Sequence, residues 1–335
     1  MQEEYNKLYT IITGSKKNVV ITTHRGPDGD AMGSSLALYH LLKKLEHNVQ
    51  IITPNDYAYF LHWLPGNKDV IIYEESKEKC KKITEKADLI FFMDLNNIDR
   101  IADYKECVRN LSSTKILIDH HQDPDYSIAD LVFSDTKSSS TAELLYKIIN
   151  DLNLNHLIDT DISECLYTGI LTDTGSFKYS STTSNTHKII SDLIERGVNH
   201  SRIHDLIYDN STIDKMRLLG YCLNKKLQIY EENNSAIISL NHEELKRFNF
   251  KKGDTEGIIN YALAIKGIIF AAFIVEKDGI VKLSLRSKGN FKVNEIAKKY
   301  FNGGGHINAS GGVSQLSVKE TIKKLEKIIN KLKIK

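Results

Sequence analysis

Residues 18–35 read NVVITTHRGPDGDAMGSS, and the fold turns on them. Asn18 to Thr23 is an apolar, β-branched run without polar alternation, the mark of a strand buried on both faces. Gly26, Pro27 and Gly29 follow in a tight-turn pattern. From Asp30 to Leu45 the apolar residues Met32, Leu36, Leu38, Leu41, Leu42 and Leu45 recur at helical spacing. Gly33, Ser34 and Ser35 open the body of that helix, whose N-terminus favours an anion. Outward from this unit the pattern repeats. NVQIIT (48–53), DVIIYE (69–74), ADLIFFMD (87–94) and KILIDHH (115–121) are four more strand-like runs. Helices between strands of this kind predict an α/β fold with a doubly wound, mainly parallel sheet, whose functional residues gather at the carboxyl ends of its strands.

After Ser138 the chain turns helical. Ser140 and Glu143 read as a capping box opening the helix TAELLYKIINDL. Residues 162–175 and 183–197 are further helices, and 198–226 reads as a helical linker. The remainder predicts a smaller α/β domain. It has a hairpin turning at Asn233–Asn234, a helix over 254–267, strands at 268–277 and 280–287, and a helix over 293–301. A glycine-rich loop NGGGH (302–306) and an amphipathic helix running to Lys335 close the chain. The expected division is 1–197, 198–226 and 227–335.

Composition narrows the functional class. The chain has 335 residues, 41% hydrophobic and 26% charged, which excludes a disordered or coiled-coil protein. It holds no apolar run of membrane-spanning length, and its charged N-terminus lacks a signal-peptide core. The expectation is therefore a cytoplasmic protein without membrane attachment. The four cysteines, Cys80, Cys107, Cys165 and Cys222, have no metal-ligand spacing and read as reduced structural thiols. Net charge is +2, but residues 251–335 carry 17 Lys and Arg against 7 Asp and Glu. Much of that excess belongs to the closing amphipathic helix.

Four segments put carboxylates and imidazoles where apolar runs end. They supply His24, Asp28 and Asp30; Asp94; Asp119, His120 and His121; and Asp173. An Asp at a strand end commonly caps a helix or makes a turn, so no one segment decides anything. Brought to one sheet edge, the carboxylates would repel each other unless cations neutralised them. Mixed Asp and His donors suit Mn²⁺, Zn²⁺ or Fe²⁺, and the absence of Cys argues against a structural zinc site. Two such ions generate a hydroxide near neutral pH and clamp the oxygens of an in-line displacement at phosphorus. As bare patterns, Gly303–His306 is either a flexible connection or a phosphate cradle, and Arg286 either a surface ion-pair partner or a phosphate reader.

HRGPDGDAMGS, the isolated Asp94, the DHH tripeptide 119–121 and TDTG around Asp173 resemble the motifs of the DHH phosphoesterase superfamily. LSLRS (283–287) and NGGGHINASGG (302–312) resemble its associated C-terminal DHHA1 domain. Length and order are most similar to the bifunctional oligoribonuclease and PAP phosphatase branch. The resemblance implies a DHH domain over 1–197 and a substrate-binding DHHA1 domain over 227–335. It implies two Mn²⁺ ions per site, with Mg²⁺ as a substitute. His24 and Asp28 would hold one ion, Asp94 would bridge, and Asp30, His120 and Asp173 would complete the second. Asp119 would orient His120, and His121 would face the substrate phosphate. Arg286, Gly304, Gly305 and His306 would hold a phosphate of the nucleotide. The implied substrates are short RNA oligonucleotides and small nucleotides such as adenosine 3′,5′-bisphosphate, and a homodimer is compatible with the family. A cyclic- or linear-dinucleotide phosphodiesterase is the alternative enzyme, and a metal-bound RNA-binding protein the alternative without catalysis. A long-strand exonuclease is disfavoured for want of an OB-type domain, and a family II pyrophosphatase by the GGGH segment.

Overall fold

The computed structural model describes residues 2–277 and 279–332. The end of the amphipathic tail, 333–335, lies outside the described residues. Two compact units divide the chain at Asn210/Ser211, inside the segment read as a linker.

The first unit runs α1 (Gln2–Thr13), β1 (Asn18–Thr23), α2 (Gly29–Lys44), β2 (Asn48–Thr53), β3 (Val70–Ile72), α3 (Lys77–Thr84), β4 (Leu89–Met93), α4 (Lys105–Val108), β5 (Thr114–Asp119), β6 (Leu131–Ser134), α5 (Thr141–Asp151), α6 (Thr160–Asp173), α7 (Ser184–Glu195) and α8 (His200–Tyr208). Its six strands lie in the order β3-β2-β1-β4-β5-β6, all parallel. Apolar strand residues alternate between two cores. Ile21, Ile51, Phe91 and Ile118 face the side packed with Met32 and Leu36 of α2 and Leu145 of α5. Val20, Ile52, Phe92 and Leu117 face the side packed with Cys80 of α3 and Val108 of α4. Both faces are covered, which is why the strand sequences show no polar alternation. The chain reverses its direction across the sheet between β1 and β4, the place where such sheets leave a crevice at the strand ends.

Helix α2 begins at Gly29, earlier than the apolar spacing indicates. Asp28 is its N-cap, accepting from the amides of Asp30 and Ala31. Gly29 serves a close approach rather than a turn: a Cβ there would lie 2.3 Å from Thr172 Oγ1 of α6. Gly33 lies inside the helix, where a Cβ would sit 2.5 Å from the Cys165 carbonyl oxygen. These two glycines let α2, carrying Asp30, lie against α6, carrying Asp173.

The second unit contains α9 (Ile213–Tyr221), β7 (Leu227–Tyr230), β8 (Ser235–Leu240), α10 (His242–Arg247), α11 (Ile258–Ala264), β9 (Phe270–Lys277), β10 (Ile280–Ser287), α12 (Val293–Tyr300), β11 (Gly304–His306), β12 (Ala309–Ser314) and α13 (Val318–Leu332). Its mixed sheet has the order β11-β12-β10-β9-β8-β7, with only β8 and β9 parallel. The NGGGH segment is therefore a correction to the sequence reading. Its Gly304–His306 part is an edge strand hydrogen-bonded to β12 and not a loop, because glycines without side chains still supply backbone partners. No helix among the described residues is long and apolar enough to cross a membrane.

Candidate metal and phosphate site

The carboxyl ends of β1, β4 and β5 carry His24, Asp94 and Asp119–His121. Asp94 occupies left-handed backbone, φ 58°, which Asp tolerates better than most residues. Its amide donates to the Ile118 carbonyl at 3.0 Å, so the turn is tied to the neighbouring strand. Across the reversal point, the Arg25 amide donates to the Arg100 carbonyl at 2.7 Å and joins the loops after β1 and β4.

Asp94 is the centre of the cluster. Its Oδ2 lies 3.4 Å from His24 Nε2, and its Oδ1 lies 3.7 Å from His120 Nε2. His24 Nε2 is also 4.0 Å from Asp28 Oδ2. His120 Nε2 is 3.7 Å from Asp30 Oδ2 and 3.4 Å from Asp173 Oδ2. The two oxygens of one carboxylate thus face two donor sets, His24–Asp28 and Asp30–His120–Asp173. Donors bonded to one ion at about 2.1 Å stand about 3.0–3.4 Å apart, close to these spacings.

Backbone carbonyls fix both imidazoles. His24 donates from Nδ1 to the Arg25 carbonyl and His120 from Nδ1 to the Ser138 carbonyl, each at 3.1 Å. A carbonyl only accepts, so each Nε2 carries the lone pair that faces the carboxylates, as a metal ligand requires. A donor set of carboxylates and imidazoles with no sulfur suits Mn²⁺, Zn²⁺ or Fe²⁺.

The electrostatics describe a site built for cations. Burial, then the charges of Asp94, Asp173 and Asp28, hold the Asp30 carboxyl well above its usual range. Burial also pushes Asp173 up to about 6, against the pull of His120 and with the push of Asp28 and Asp94. For His120, burial works against the charged form, but Asp173, Asp94 and the Ser138 carbonyl raise its pKa. Asp94 is fully desolvated, yet the contact to His24 and the charges of His121 and His120 keep it well below the usual range. Divalent cations remove the mutual repulsion that lifts Asp30 and Asp173.

Asp119 is not the partner of His120. Its Oδ1 accepts from His121 Nδ1 at 2.7 Å, and its Oδ2 accepts from the His121 amide at 3.2 Å. The far nitrogen, His121 Nε2, accepts from Arg100 Nη1 at 3.0 Å. Because Ser138 already takes the His120 Nδ1 proton, the Asp119 carboxylate serves the next ring instead.

In the second unit, Arg286 of β10 pairs with Ala309 of β12, and Ala309 pairs with His306 of β11. Directly opposed residues share a face, so Arg286 and His306 stand on one face, each opposite Ala309. Gly304 and Gly305 precede His306 on the sheet edge, opposite Gly311 and Ser310.

Residues 18–170 match the DHH family, N-terminal domain, and residues 233–333 match the DHHA1 domain. The chain belongs to the DHH–DHHA1 phosphoesterases. The bifunctional oligoribonuclease and PAP phosphatase NrnA of Bacillus subtilis is 29% identical over 88% of each chain. A probable enzyme of the same name from Streptococcus mutans is 32% identical, covering 88% of this chain and 89% of its own. The crystal structure of an exopolyphosphatase-related protein from Bacteroides fragilis superposes with a TM-score of 0.93 at 38% identity, covering 99% of this chain and 97% of its own. Membership makes this chain a metal-dependent hydrolase.

Sequence reasoning for this DHH domain did not single out Ser138 or Thr141, although both touch candidate ligands. Thr141 donates from Oγ1 to Asp94 Oδ1 at 2.8 Å. The capping box forms only in part. Ser140 Oγ accepts from the Glu143 amide, but the Glu143 carboxylate turns inward to Ser139 and Thr186.

Proposed function

We propose that this protein is a two-metal, Mn²⁺-dependent phosphoesterase that hydrolyses short oligoribonucleotides to mononucleotides and removes a phosphate from adenosine 3′,5′-bisphosphate. The activities printed for its NrnA relatives support the substrate class. The observation that carries the two-metal reading is Asp94, whose two oxygens face two separate donor sets. On this reading His24 and Asp28 would hold one ion, Asp30, His120 and Asp173 would hold the other, and Asp94 would serve both. Mg²⁺ is the substitute metal, and the cytoplasm is the site of action.

When bound, the two ions supply Lewis acidity and a hydroxide at neutral pH. The chain's own residues do the rest. Asp119 holds the Nδ1 proton of His121 and fixes its ring. Arg100, donating to His121 Nε2, presents its remaining N–H groups for a substrate phosphate. Arg286, with the Gly304–Gly305 backbone and His306, grips a phosphate of the nucleotide from neighbouring strands of one sheet.

The test is product analysis of the Mn²⁺-loaded full chain against RNAs of two to about twenty nucleotides, adenosine 3′,5′-bisphosphate, linear pApA and cyclic di-AMP. The expected result is mononucleotide release with higher kcat/KM for RNAs of about two to five nucleotides than for about twenty. Turnover of cyclic di-AMP alone would replace this reading by the cyclic-dinucleotide one. Binding of RNA without turnover would make the protein a metal-bound RNA binder.

A further inference from the structure

The ligands Asp30, Asp94 and His120 come from α2, the end of β4 and the end of β5. All three are held by one short segment, Ser138–Ala142. The Thr141 and Ala142 amides donate to Asp30 Oδ2 and Oδ1 at 2.6 and 2.9 Å. The Thr141 hydroxyl donates to Asp94 Oδ1 at 2.8 Å. The Ser138 carbonyl accepts from His120 Nδ1 at 3.1 Å. The segment is the entry to α5, so the positive end of that helix lies against the Asp30 carboxylate.

What fixes the segment is Glu143. Its side chain is buried, at 1% exposure. It accepts from Ser139 Oγ at 2.5 Å, from Thr186 Oγ1 of α7 at 2.8 Å, and from Lys147 Nζ at 2.6 Å. Lys147 also donates to Ser138 Oγ at 3.0 Å. The network therefore grips the start of the 138–142 turn, at Ser138 and Ser139, and ties it to α5 and α7. The Glu143 carboxylate is buried while Lys147 is part-exposed, and such a pair is weak evidence of a role in stability. Here its members instead align the atoms that aim three metal ligands.

We propose that Glu143 and Thr141 are positioning residues of the metal centre, Glu143 by locking the 138–142 turn and Thr141 by orienting the Asp94 carboxylate. This inference rests on the metal reading above. Partners of this kind change metal affinity by about ten- to a hundredfold when removed.

The test uses the full chain as Glu143→Gln, Thr141→Val and Thr141→Ser, with Mn²⁺ titrations followed by electron paramagnetic resonance and thermal melts alongside. Glu143→Gln and Thr141→Val are expected to bind Mn²⁺ about ten- to a hundredfold more weakly, with kcat recovering at saturating Mn²⁺ and substrate KM unchanged. Thr141→Ser, which keeps the hydroxyl, should return to within a few-fold of the parent. If Glu143→Gln fails to fold, the Thr141 pair decides. Mn²⁺ affinity within twofold of the parent in Thr141→Val, or equal losses in Thr141→Val and Thr141→Ser, overturns the proposal. A parent protein that binds no Mn²⁺ overturns the metal reading and the proposal together, a result distinct from either of those.

Discussion

The Asp119 carboxylate holds the ring of His121, two residues along the chain, through Nδ1 at 2.7 Å. Arg100 donates to the opposite nitrogen, so both faces of this ring are spoken for and only one tautomer satisfies both partners. An amide at 119 can donate to Nδ1, which would move the ring proton to Nε2 and set it against the Arg100 donor. Asp119→Asn should lower kcat by about 10²- to 10⁴-fold. Mn²⁺ affinity should stay within a few-fold, because His120 is fixed by Ser138. Single-turnover kinetics beside a Mn²⁺ titration separates the two effects, and a loss confined to metal affinity would show that Asp119 serves the ligands.

The contact of α2 with α6 sets the distance from Asp30 to Asp173. At Gly33 a Cβ would lie 2.5 Å from the Cys165 carbonyl oxygen and 2.9 Å from the Gly169 amide nitrogen. Both are backbone atoms and cannot swing aside. Gly33→Ala should destabilise the fold by about 1–3 kcal/mol, read from urea denaturation, and weaken Mn²⁺ binding. Unchanged stability would mean that the two helices part without cost.

Acid should stabilise the metal-free protein. Burial and neighbouring carboxylates raise Asp30, and they raise Asp173 to about 6. His120 is raised as well, its facing carboxylates outweighing burial. All three bind protons more tightly folded than unfolded. Their stabilising contribution is complete below the unfolded carboxylate range, about pH 4, and is lost as pH rises through the folded values. Asp94, held low, contributes the opposite way, but its loss falls at more acidic pH. The metal-free Tm should therefore be higher at pH 5 than at pH 7.5. Mn²⁺ competes with those protons, so the rise in Tm that it produces should be larger at pH 7.5. Melts with EDTA and with Mn²⁺ at both values check this, and a metal-free Tm that climbs with pH contradicts it.

Arg286 and His306 share one face of the second sheet, across Ala309. Arg286→Ala should lower kcat/KM for short RNAs by about ten- to a hundredfold, the loss of a charge-assisted phosphate contact, while leaving Mn²⁺ binding intact. Equal kcat/KM in the two proteins would remove Arg286 from the site.

The parallel sheet was legible because its long strands are apolar on both faces, and the ligands because each ends such a run. β6 escaped because LVFS is a four-residue edge strand whose burial alternates. β11 and β12 escaped because GGGH and ASGG carry the composition of a loop, and only the register of β10 organises them. The partner of Asp119 was not readable, since His120 and His121 follow it side by side and their rings take different acceptors. Glu143 had the spacing of a capping residue, but Thr186, far along the chain, draws its carboxylate inward.

On the proposed function, Asp94 joins two metal ions in a phosphoesterase. The most direct test is mononucleotide release from a diribonucleotide by the Mn²⁺-loaded full chain and by Asp94→Ala, each followed to completion. Steady turnover by the parent is expected, with its abolition by EDTA and recovery with Mn²⁺, and only background release from a folded Asp94→Ala at any Mn²⁺ concentration. Near-parental kcat in Asp94→Ala, or parental turnover that survives EDTA, would contradict it.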